Sequence, residues 1–375
     1  MSLWDALRMN MMISYQELVR TFLNGREKEY VMRCLDTTWI SSRGEFITEF
    51  EKAFAKYTGA EYATTVANGT VALHLALEAL GIKSGDEVIV PTLTYIASVN
   101  TIVQTGASVV YAESVEDTWN VDISDIEKRI TDKTKAIMVV HLYGLSCDMD
   151  AIVKLCQERG IYLIEDCAEA FGSRYKGQHV GTFGDVATFS FFGNKTITTG
   201  EGGMVLCKDK DVFDKACHLK SQGVSKEREY WHDVIAYNYR MTNICAAIGL
   251  AQLEQADDIL EKKRAVAASY KANLKGLPLS FQEEPEGYYH SYWMCSILLD
   301  NASDRQGLRA FLKEKGVETR PLFPPANTMP HVFSDQHFPV ASTLSERGIN
   351  LPSFPALTTQ QITYICDLIR SYFDN

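Results

Sequence analysis

The run Ala136-Ile-Met-Val-Val140, a helical segment at 150–159 and the run Ile161-Tyr-Leu-Ile164 together decide the fold class of this chain. Two short apolar runs on either side of a segment with helical periodicity are typical of parallel strands joined by a crossover helix. The same alternation occurs upstream, where the predicted elements are strand Glu87-Val-Ile-Val90, helix 95–105, strand Ser108-Val-Val-Tyr111 and helix 123–130. The sequence therefore predicts an α/β domain built on a largely parallel sheet.

Polar segments directly follow two of these predicted strands. Pro91-Thr-Leu-Thr-Tyr95 follows one strand, and Glu165-Asp166 follows another. Ligands of such sheets collect at the carboxyl ends of the strands. We therefore expect the functional site at this edge of the sheet.

The length of 375 residues predicts two domains. We expect a large α/β domain at 13–250 and a smaller α+β domain at 251–375, bridged by one long helix at 243–273. Within the small domain, the patterns predict a strand at 292–299, a helix at 304–315 and an irregular, proline-rich loop at 320–330.

Composition excludes several classes of function. A formal net charge of −11 leaves no basic face for a nucleic-acid backbone. No apolar run approaches the roughly 20 residues that span a bilayer, and residues 1–12 do not resemble a signal peptide. The nine cysteines are scattered singly, without a metal-like grouping with histidine. We expect a cytoplasmic protein without bound metal, and we expect His74 and His141 to be packed, hydrogen-bonded residues.

Lys195 ends the segment Phe189-Ser-Phe-Phe-Gly-Asn-Lys195, on a predicted loop between strands 187–191 and 203–206. Its aromatic neighbours would desolvate the amine, lower its pKa and make it a better nucleophile. Asp166 alone could equally bind a metal or cap a helix. An amine together with a carboxylate at a strand end, however, is what pyridoxal phosphate (PLP) requires for its Schiff base and its pyridine nitrogen. The pair predicts PLP and amine chemistry.

Asn68-Gly69-Thr70 precedes a strong helix-forming run that starts at Val71. Free N–H groups and the helix dipole at such a terminus favour a phosphate. For this tripeptide alone, an ordinary helix cap is the better explanation. The phosphate site therefore depends on the other residues around it.

These residues together resemble the DegT/DnrJ/EryC1/StrS sugar aminotransferases, from about Gly44 to the segment Leu351-Pro-Ser-Phe-Pro355. The resemblance implies the PLP-dependent transferase fold (aspartate aminotransferase, fold type I). In that fold a large, mixed, mostly parallel seven-stranded sheet domain carries a smaller α+β C-terminal domain. Related dehydratases have histidine where this chain has Lys195, and histidine cannot form the Schiff base. The lysine therefore favours transamination.

The resemblance also implies a role for each site residue. Lys195 would bind PLP covalently and move protons, and Asp166 would pair with the pyridinium nitrogen. The other implied cofactor contacts are Glu169 near the hydroxyl or Schiff base, Tyr95 stacked on the ring, and Gly69, Thr70 and Ser190 at the phosphate.

The segment Tyr237-Asn238-Tyr-Arg240-Met241 resembles the part of the family that reaches into a neighbouring subunit. Asn238 would touch that subunit's PLP phosphate, which implies a homodimer with shared active sites and leaves a tetramer open. Arg240 and Arg320 are candidate substrate contacts. From the residues alone, Asn238 is a turn residue, and both arginines equally suit ordinary ion pairs.

Within the family, Gly193-Asn-Lys-Thr-Ile-Thr-Thr-Gly200 and Glu169 most resemble the members that use GDP-4-keto-6-deoxy-D-mannose and L-glutamate. The product of such an enzyme is a precursor of bacterial surface polysaccharide (O-antigen). Two alternatives stay open. One is an aminotransferase for a UDP- or dTDP-linked 4-keto sugar, and the other is a regulatory protein of the same fold without catalysis.

Overall fold

The computed structural model describes residues 22–374, which form three β-sheets and the helices that pack on them. Residues 13–21 of the predicted large domain, the excluded segment 1–12 and Asn375 lie outside the described residues. Two helices that the sequence analysis did not predict come first, α1 (Glu27–Asp36) and α2 (Glu45–Thr58).

The alternating region then follows in the predicted order. Its elements are β1 (Tyr62–Val66), α3 (Gly69–Leu80), β2 (Glu87–Pro91), α4 (Ile96–Gln104), β3 (Ser108–Ala112), α5 (Ile123–Arg129), β4 (Thr134–Val140), α6 (Met149–Arg159) and β5 (Tyr162–Asp166). The next elements are β6 (Arg174–Tyr175), β7 (Gln178–His179), β8 (Val186–Ser190), β9 (Gly203–Cys207), α7 (Lys210–Lys220), α8 (Asn243–Leu253) and α9 (Ala256–Asn273). The C-terminal part contains β10 (Leu279–Phe281), β11 (Tyr288–Tyr289), β12 (Cys295–Leu299), α10 (Asp304–Glu314), β13 (Arg320–Pro321), α11 (Pro339–Arg347), β14 (Gly348–Leu351) and α12 (Thr359–Phe373).

The largest sheet has seven strands in the order β1-β9-β8-β5-β4-β2-β3. All neighbours from β8 to β3 are parallel, whereas β9 is antiparallel to both β1 and β8. The predicted mixed, mostly parallel seven-stranded sheet is confirmed. No helix among residues 22–374 is long and apolar enough to cross a membrane.

Strand register brings the predicted polar residues to one edge of this sheet. Asp166 pairs with Val140 of β4 on one side and with Thr188 of β8 on the other. The N-terminus of α3 follows β1 directly, and Asn68 caps it by accepting a hydrogen bond from the backbone N–H of Val71 at 3.0 Å. The carboxyl ends of the parallel strands and this helix terminus therefore face one region.

The C-terminal sheet is a separate antiparallel layer with the order β10-β12-β14-β13. It shares one apolar cluster with α10, α12 and the second half of α9, which contributes Val266 and Tyr270. The first half of α9 contributes Ala256 and Ile259 to a cluster beneath the large sheet. This helix therefore joins both cores, which supports the two-domain interpretation, while the boundary at residue 250 stays a prediction.

Two sequence expectations in this region were wrong. The predicted helix at 243–273 is broken at Glu254-Gln255, where Gln255 has φ −113° and ψ 12°, outside the helical region. The segment 320–330 is not wholly irregular, because β13 pairs with β14 through Arg320 and Pro321. Proline is tolerated there because β13 is an edge strand that needs no ladder donor on its outer side.

An aromatic cluster joins α2 to the strand that leads to Lys195. The Phe54 ring centroid lies 5.0 Å from that of Phe189 and 5.5 Å from that of Phe191, and all three side chains are buried. Phe50 and Phe171 complete the contacts of Phe54. Edge-to-face packing of this kind adds to the free energy of burial. The cluster fixes the course of the chain just before Lys195.

Replacing Phe54 with alanine would empty the centre of this cluster. We expect a loss of about 3–5 kcal/mol in the free energy of unfolding, because both buried area and cavity terms act against the variant. Urea unfolding of wild type and variant, in the same cofactor form, measures the difference. Phe333→Ala is the matched control, since this ring is 67% exposed; equal losses for both variants would contradict a core role for Phe54.

Candidate active site

A cavity of about 550 Å³ lies at the carboxyl edge of the seven-stranded sheet. Seven of the predicted cofactor residues line it: Gly69, Thr70, Tyr95, Asp166, Glu169, Ser190 and Lys195. Residues from elsewhere in the chain complete its wall, among them Thr94, Phe192, Asn194, Glu201, Trp293 and Phe323. The fold therefore gathers segments that are far apart in sequence into one space.

One end of the cavity is formed by the N-terminus of α3 and the end of β8. A Cβ atom at Gly69 would lie 2.6 Å from the Cβ of Ser190, so only glycine permits this approach. The backbone N–H groups of Gly69 and Thr70 have no acceptor within the described part of the chain. Free donors at a helix N-terminus beside a hydroxyl fit a phosphate group.

The floor of the cavity carries the carboxylate of Asp166. Its side chain accepts hydrogen bonds from the Ser98 hydroxyl at 2.7 Å and from the backbone N–H of Ala168 at 3.0 Å. Burial raises the pKa of Asp166, and the Ser98 hydrogen bond opposes that shift. A buried carboxylate of this kind gains from a cation placed against it, as a protonated pyridine nitrogen would be.

Glu169 and Lys195 are two ionisable groups of this cavity whose charges interact. Glu169 is 3% exposed and accepts a hydrogen bond from the backbone N–H of Tyr143 at 2.8 Å. Burial raises the pKa of Glu169 to about 7, with the Lys195 charge acting in the opposite direction. Burial lowers the pKa of Lys195 in turn, while the carboxylates of Glu169 and Asp166 oppose that shift. Glu169 can therefore take up or release a proton near neutral pH, and Lys195 loses its proton more readily than an exposed lysine.

Glu165 supports the site from behind. One of its oxygens accepts from the N–H groups of Phe183 and Gly184 at 2.8 and 2.7 Å, and the other accepts from Gly181 at 2.7 Å. His141 Nε2 lies 3.1 Å from the second oxygen. This role of Glu165 was not predicted from the sequence. The signal for it is the position of Glu165 beside Asp166 and ahead of the glycine-rich turn at 181–184.

The histidine predictions hold. His141 is fully buried, and because its Nδ1 accepts from the N–H of Cys147 at 3.1 Å, its Nε2 carries the proton that faces Glu165. His141, Glu165 and Cys167 are close enough to hold an ion, but hydrogen bonds already engage both Glu165 oxygens. His74 is likewise buried and lies 3.2 Å from the hydroxyl of Tyr239.

Three predicted residues lie outside the wall of this cavity. Asn238 is exposed and accepts a hydrogen bond from Arg240 Nε at 3.2 Å. Arg320 forms an ion pair with Glu318 at 3.1 Å. Their roles toward cofactor or substrate stay predictions.

Three aromatic residues that the sequence did not predict, Tyr143, Trp293 and Phe323, complete the site from distant segments. Tyr143 is fully buried, and its ring stacks on those of Trp293 and Phe323 with centroid distances of 6.2 and 5.3 Å. Its hydroxyl accepts from the backbone N–H of Phe323 at 3.0 Å. No local pattern marks these residues, because only tertiary packing makes them neighbours.

The donor set suits PLP. A partly buried amine, a buried carboxylate and free N–H groups at a helix terminus, all in one cavity, match the aldehyde, ring nitrogen and phosphate of that cofactor. Lys195, Asp166 and the Gly69-Thr70 turn with Ser190 would hold those three parts.

Fold and cavity together define a PLP-dependent transferase of fold type I. A solved structure, the PLP form of the sugar aminotransferase Spr1654 from Streptococcus pneumoniae, superposes with a TM-score of 0.90 at 27% identity, over 94% of this chain and 97% of that one. Residues 22–370 match the model of the DegT/DnrJ/EryC1/StrS aminotransferase family. The chain belongs to this family.

Two curated relatives are similar over nearly their whole lengths. The GDP-perosamine synthase of Escherichia coli O157:H7 is 58% identical over 97% of this chain and 100% of its own length. The GDP-perosamine synthase of Vibrio cholerae is 53% identical over 94% of this chain and 97% of its own.

Glu165→Gln tests the hydrogen bonds that the buried Glu165 carboxylate accepts from the backbone and from His141. The amide keeps one acceptor oxygen and leaves at least one buried backbone N–H without a partner, so we expect a loss on the order of 3 kcal/mol at pH 7. Despite the raising effect of burial, the hydrogen bond from His141 and those of the backbone hold the pKa of Glu165 below its usual 4.5. The contribution is therefore complete above about pH 4.5 and is lost as the pH falls through the lower, folded-state pKa.

Urea unfolding of both proteins at pH 7 and in acid measures this dependence. The difference in the free energy of unfolding between wild type and Glu165→Gln should become smaller as the pH falls. Glu158→Gln is the control, because this side chain is 60% exposed in an ion pair with Lys154. If this difference in the free energy of unfolding does not change with pH, the ionised Glu165 carboxylate does not stabilise the fold.

Proposed function

We propose that this chain transfers the amino group of L-glutamate to GDP-4-keto-6-deoxy-D-mannose, giving GDP-perosamine and 2-oxoglutarate. The observation that carries the class of reaction is Lys195 in one cavity with Asp166, Glu169 and the free N–H groups of the α3 terminus. The choice of sugar rests on the two GDP-perosamine synthases, which are 58% and 53% identical to this chain. The product would serve bacterial surface polysaccharide.

Bound PLP supplies an electron-withdrawing ring that makes the carbon beside the transferred nitrogen acidic. Lys195 Nζ takes that proton as a neutral amine and returns it as an ammonium group. Asp166 would hold a negative charge against the ring nitrogen and so favour its protonated form. Glu169 stays close to Lys195 and changes its own charge near pH 7, so the pair can pass a proton without moving a net charge out of the site.

The remaining wall residues position and enclose the reactants. Ser190 and the α3 terminus bind the phosphate and thereby fix the distance from it to Lys195. Trp293 and Phe323 form an apolar side of the cavity, which excludes water from the reacting carbon. Tyr95 is 57% exposed at the cavity mouth, which suits contact with a ring that enters from solvent.

A UDP- or dTDP-linked 4-keto sugar is the second candidate substrate, because none of the cavity residues identifies a nucleotide base. A regulatory role without catalysis is less consistent with the site. Both the amine and the carboxylate that PLP chemistry needs are in place, with pKa values shifted toward neutrality.

Lys195→Ala tests the reaction class. We expect a folded protein whose transamination rate falls by at least about 10³-fold, because both the covalent link and the proton carrier are removed. Initial rates of 2-oxoglutarate release measure the loss. Lys176→Ala is the control, since Lys176 is an exposed lysine paired with Asp150 on the surface; a comparable rate in Lys195→Ala would refute the assignment.

The substrate is tested with wild type alone. The enzyme is converted to its pyridoxamine form with L-glutamate, the donor is removed, and GDP-, UDP- or dTDP-linked 4-keto sugars are added separately. We expect the absorbance of the pyridoxal form to return fastest with the GDP sugar. If the absorbance of the pyridoxal form returns only with a UDP- or dTDP-linked sugar, the protein is still an aminotransferase but its substrate is that sugar. No response to glutamate would favour the regulatory alternative.

We further propose that the protein is a homodimer in the cytoplasm, where its nine cysteines stay free. Segment 224–236 exposes several large apolar side chains, with Tyr230 at 96% and Ile235 at 94% exposure. Contiguous apolar surface of this kind marks interaction sites. Asn238, directly after it, lies outside its own cavity, which is consistent with a role at the phosphate of a second copy.

Ile235→Asp tests the dimer. An unpaired charge placed in an apolar interface should weaken association by about 100-fold or more, so the variant should sediment as a monomer at concentrations where wild type is a dimer. Phe333→Asp is the matched control on an exposed aromatic outside this segment. An unchanged sedimentation coefficient for Ile235→Asp would exclude this surface from the interface.

A further inference from the structure

The amine of Lys195 lies on the face of an indole ring. Its Nζ atom is 3.7 Å from the ring centroid of Trp293, well inside the range of a cation–π contact. Within residues 22–374, Lys195 Nζ forms no hydrogen bond and no salt bridge shorter than 4.0 Å. The indole is therefore the closest group that stabilises this ammonium.

Trp293 is itself held firmly. Its Nε1 donates a hydrogen bond to the carbonyl of Asn194 at 2.8 Å, so the ring is tied to the backbone next to Lys195. The ring is 5% exposed and stacks on Tyr143 at an interplanar angle of 12°. Tyr143 and Tyr292 have φ values of 55° and 50°, which are uncommon for tyrosine. Strained backbone on both sides of the contact indicates that its geometry is specified.

The contact with the indole ring offsets part of the cost of burying the Lys195 ammonium group. Burial lowers the pKa of Lys195, while the carboxylates of Glu169 and Asp166 favour its ammonium form. Glu201 lines the same cavity, and Lys263 lines a small neighbouring one. A closer carboxylate would hold the proton too strongly. An aromatic face stabilises the cation without accepting its proton.

We propose that Trp293 is a positioning residue for the transamination, which holds the released Lys195 amine and raises its basicity through the indole face. This proposal rests on Lys195 acting as the base in the proposed function. When Lys195 is free of the cofactor, its Nζ lone pair would form an N–H bond as the adjacent C–H bond of the donor breaks, and the electron pair of that C–H bond would pass into the electron-withdrawing ring of bound PLP. The resulting ammonium stays against the indole until the proton is returned, and no other oxidant or reductant takes part.

The pKa of Lys195 can be measured without turnover. The protein is loaded with pyridoxamine 5′-phosphate, so that Lys195 is free, and is pulse-labelled with acetic anhydride across a range of pH. Mass spectrometry then gives the modified fraction of Lys195 relative to the exposed Lys176. In Trp293→Leu we expect the pKa of Lys195 to fall by about one unit, and in Trp293→Phe, which keeps a π face, by less.

Trp119→Leu is the matched control. Trp119 is 2% exposed in the same apolar cluster as Trp293 and touches Tyr143, but its ring does not lie against Lys195. A shift of the Lys195 pKa in Trp293→Leu and none in Trp119→Leu supports the proposal. Equal shifts, or no shift in Trp293→Leu, overturn it.

Fluorinated tryptophan gives a second test that leaves side-chain volume nearly unchanged. Fluorine withdraws electrons from the ring face, so the pKa of Lys195 should fall step by step with the number of fluorine atoms in the five tryptophans of the chain. A pKa independent of fluorination contradicts the proposal even if Trp293→Leu does not fold.

The pH–rate profile separates this proposal from the proposed function. A base must be neutral to accept a proton, so kcat rises with pH through the pKa of Lys195. Lowering that pKa in Trp293→Phe should move the acid limb to lower pH by the same amount that labelling reports. Acetylation could report a lower pKa for Lys195 while the acid limb of the pH–rate profile stays where it is. That result would support the contact with Trp293 but show that Lys195 is not the rate-determining base.

Discussion

The burial of an amine together with two carboxylates is the constraint on which this structure depends. Taking Lys195, Asp166 and Glu169 out of water costs free energy, and the pKa shifts of all three are governed by that cost. Each charge is offset by its own contact: the Ser98 hydroxyl for Asp166, the Tyr143 N–H for Glu169 and the Trp293 ring for Lys195. The opposed shifts bring an acid and a base toward neutrality in one cavity, which is the condition for proton transfer at physiological pH.

Each of these contacts depends on backbone far from the reacting groups. Gly144 can lie against the Ser291–Trp293 segment only because it lacks a side chain, since a Cβ there would be 2.9 Å from the N atom of Trp293. That approach stacks Tyr143 on Trp293 and aims the Tyr143 N–H at Glu169. Glu169, which follows β5 of the large sheet, and Trp293, which precedes β12, are thus positioned by one short turn.

The same segments connect the wall of the cavity to Glu169 and Lys195. Phe323 follows β13 and donates its backbone N–H to the hydroxyl of Tyr143, so the chain at the cavity mouth is tied to the residues that hold Glu169 and Lys195. The stack of aromatic rings keeps this connection rigid, because interlocked rings tolerate few alternative arrangements.

The sequence by itself determined the alternating strands and helices, the strand-end carboxylate Asp166, the cap at Asn68 and the lysine loop. Each of these depends on periodicity or on residues adjacent in the chain. Sequence alone did not predict α1 and α2, the break at Glu254-Gln255, or the hydrogen bonds that Glu165 makes. Nor did it place Trp293 against Lys195, or Tyr143 against Trp293 and Phe323. Such contacts join residues about 100 to 180 positions apart, and their free energy exists only once the folded chain has excluded water and brought the rings together. Tertiary structure therefore decided how the charges are balanced, whereas local sequence decided which charges are present.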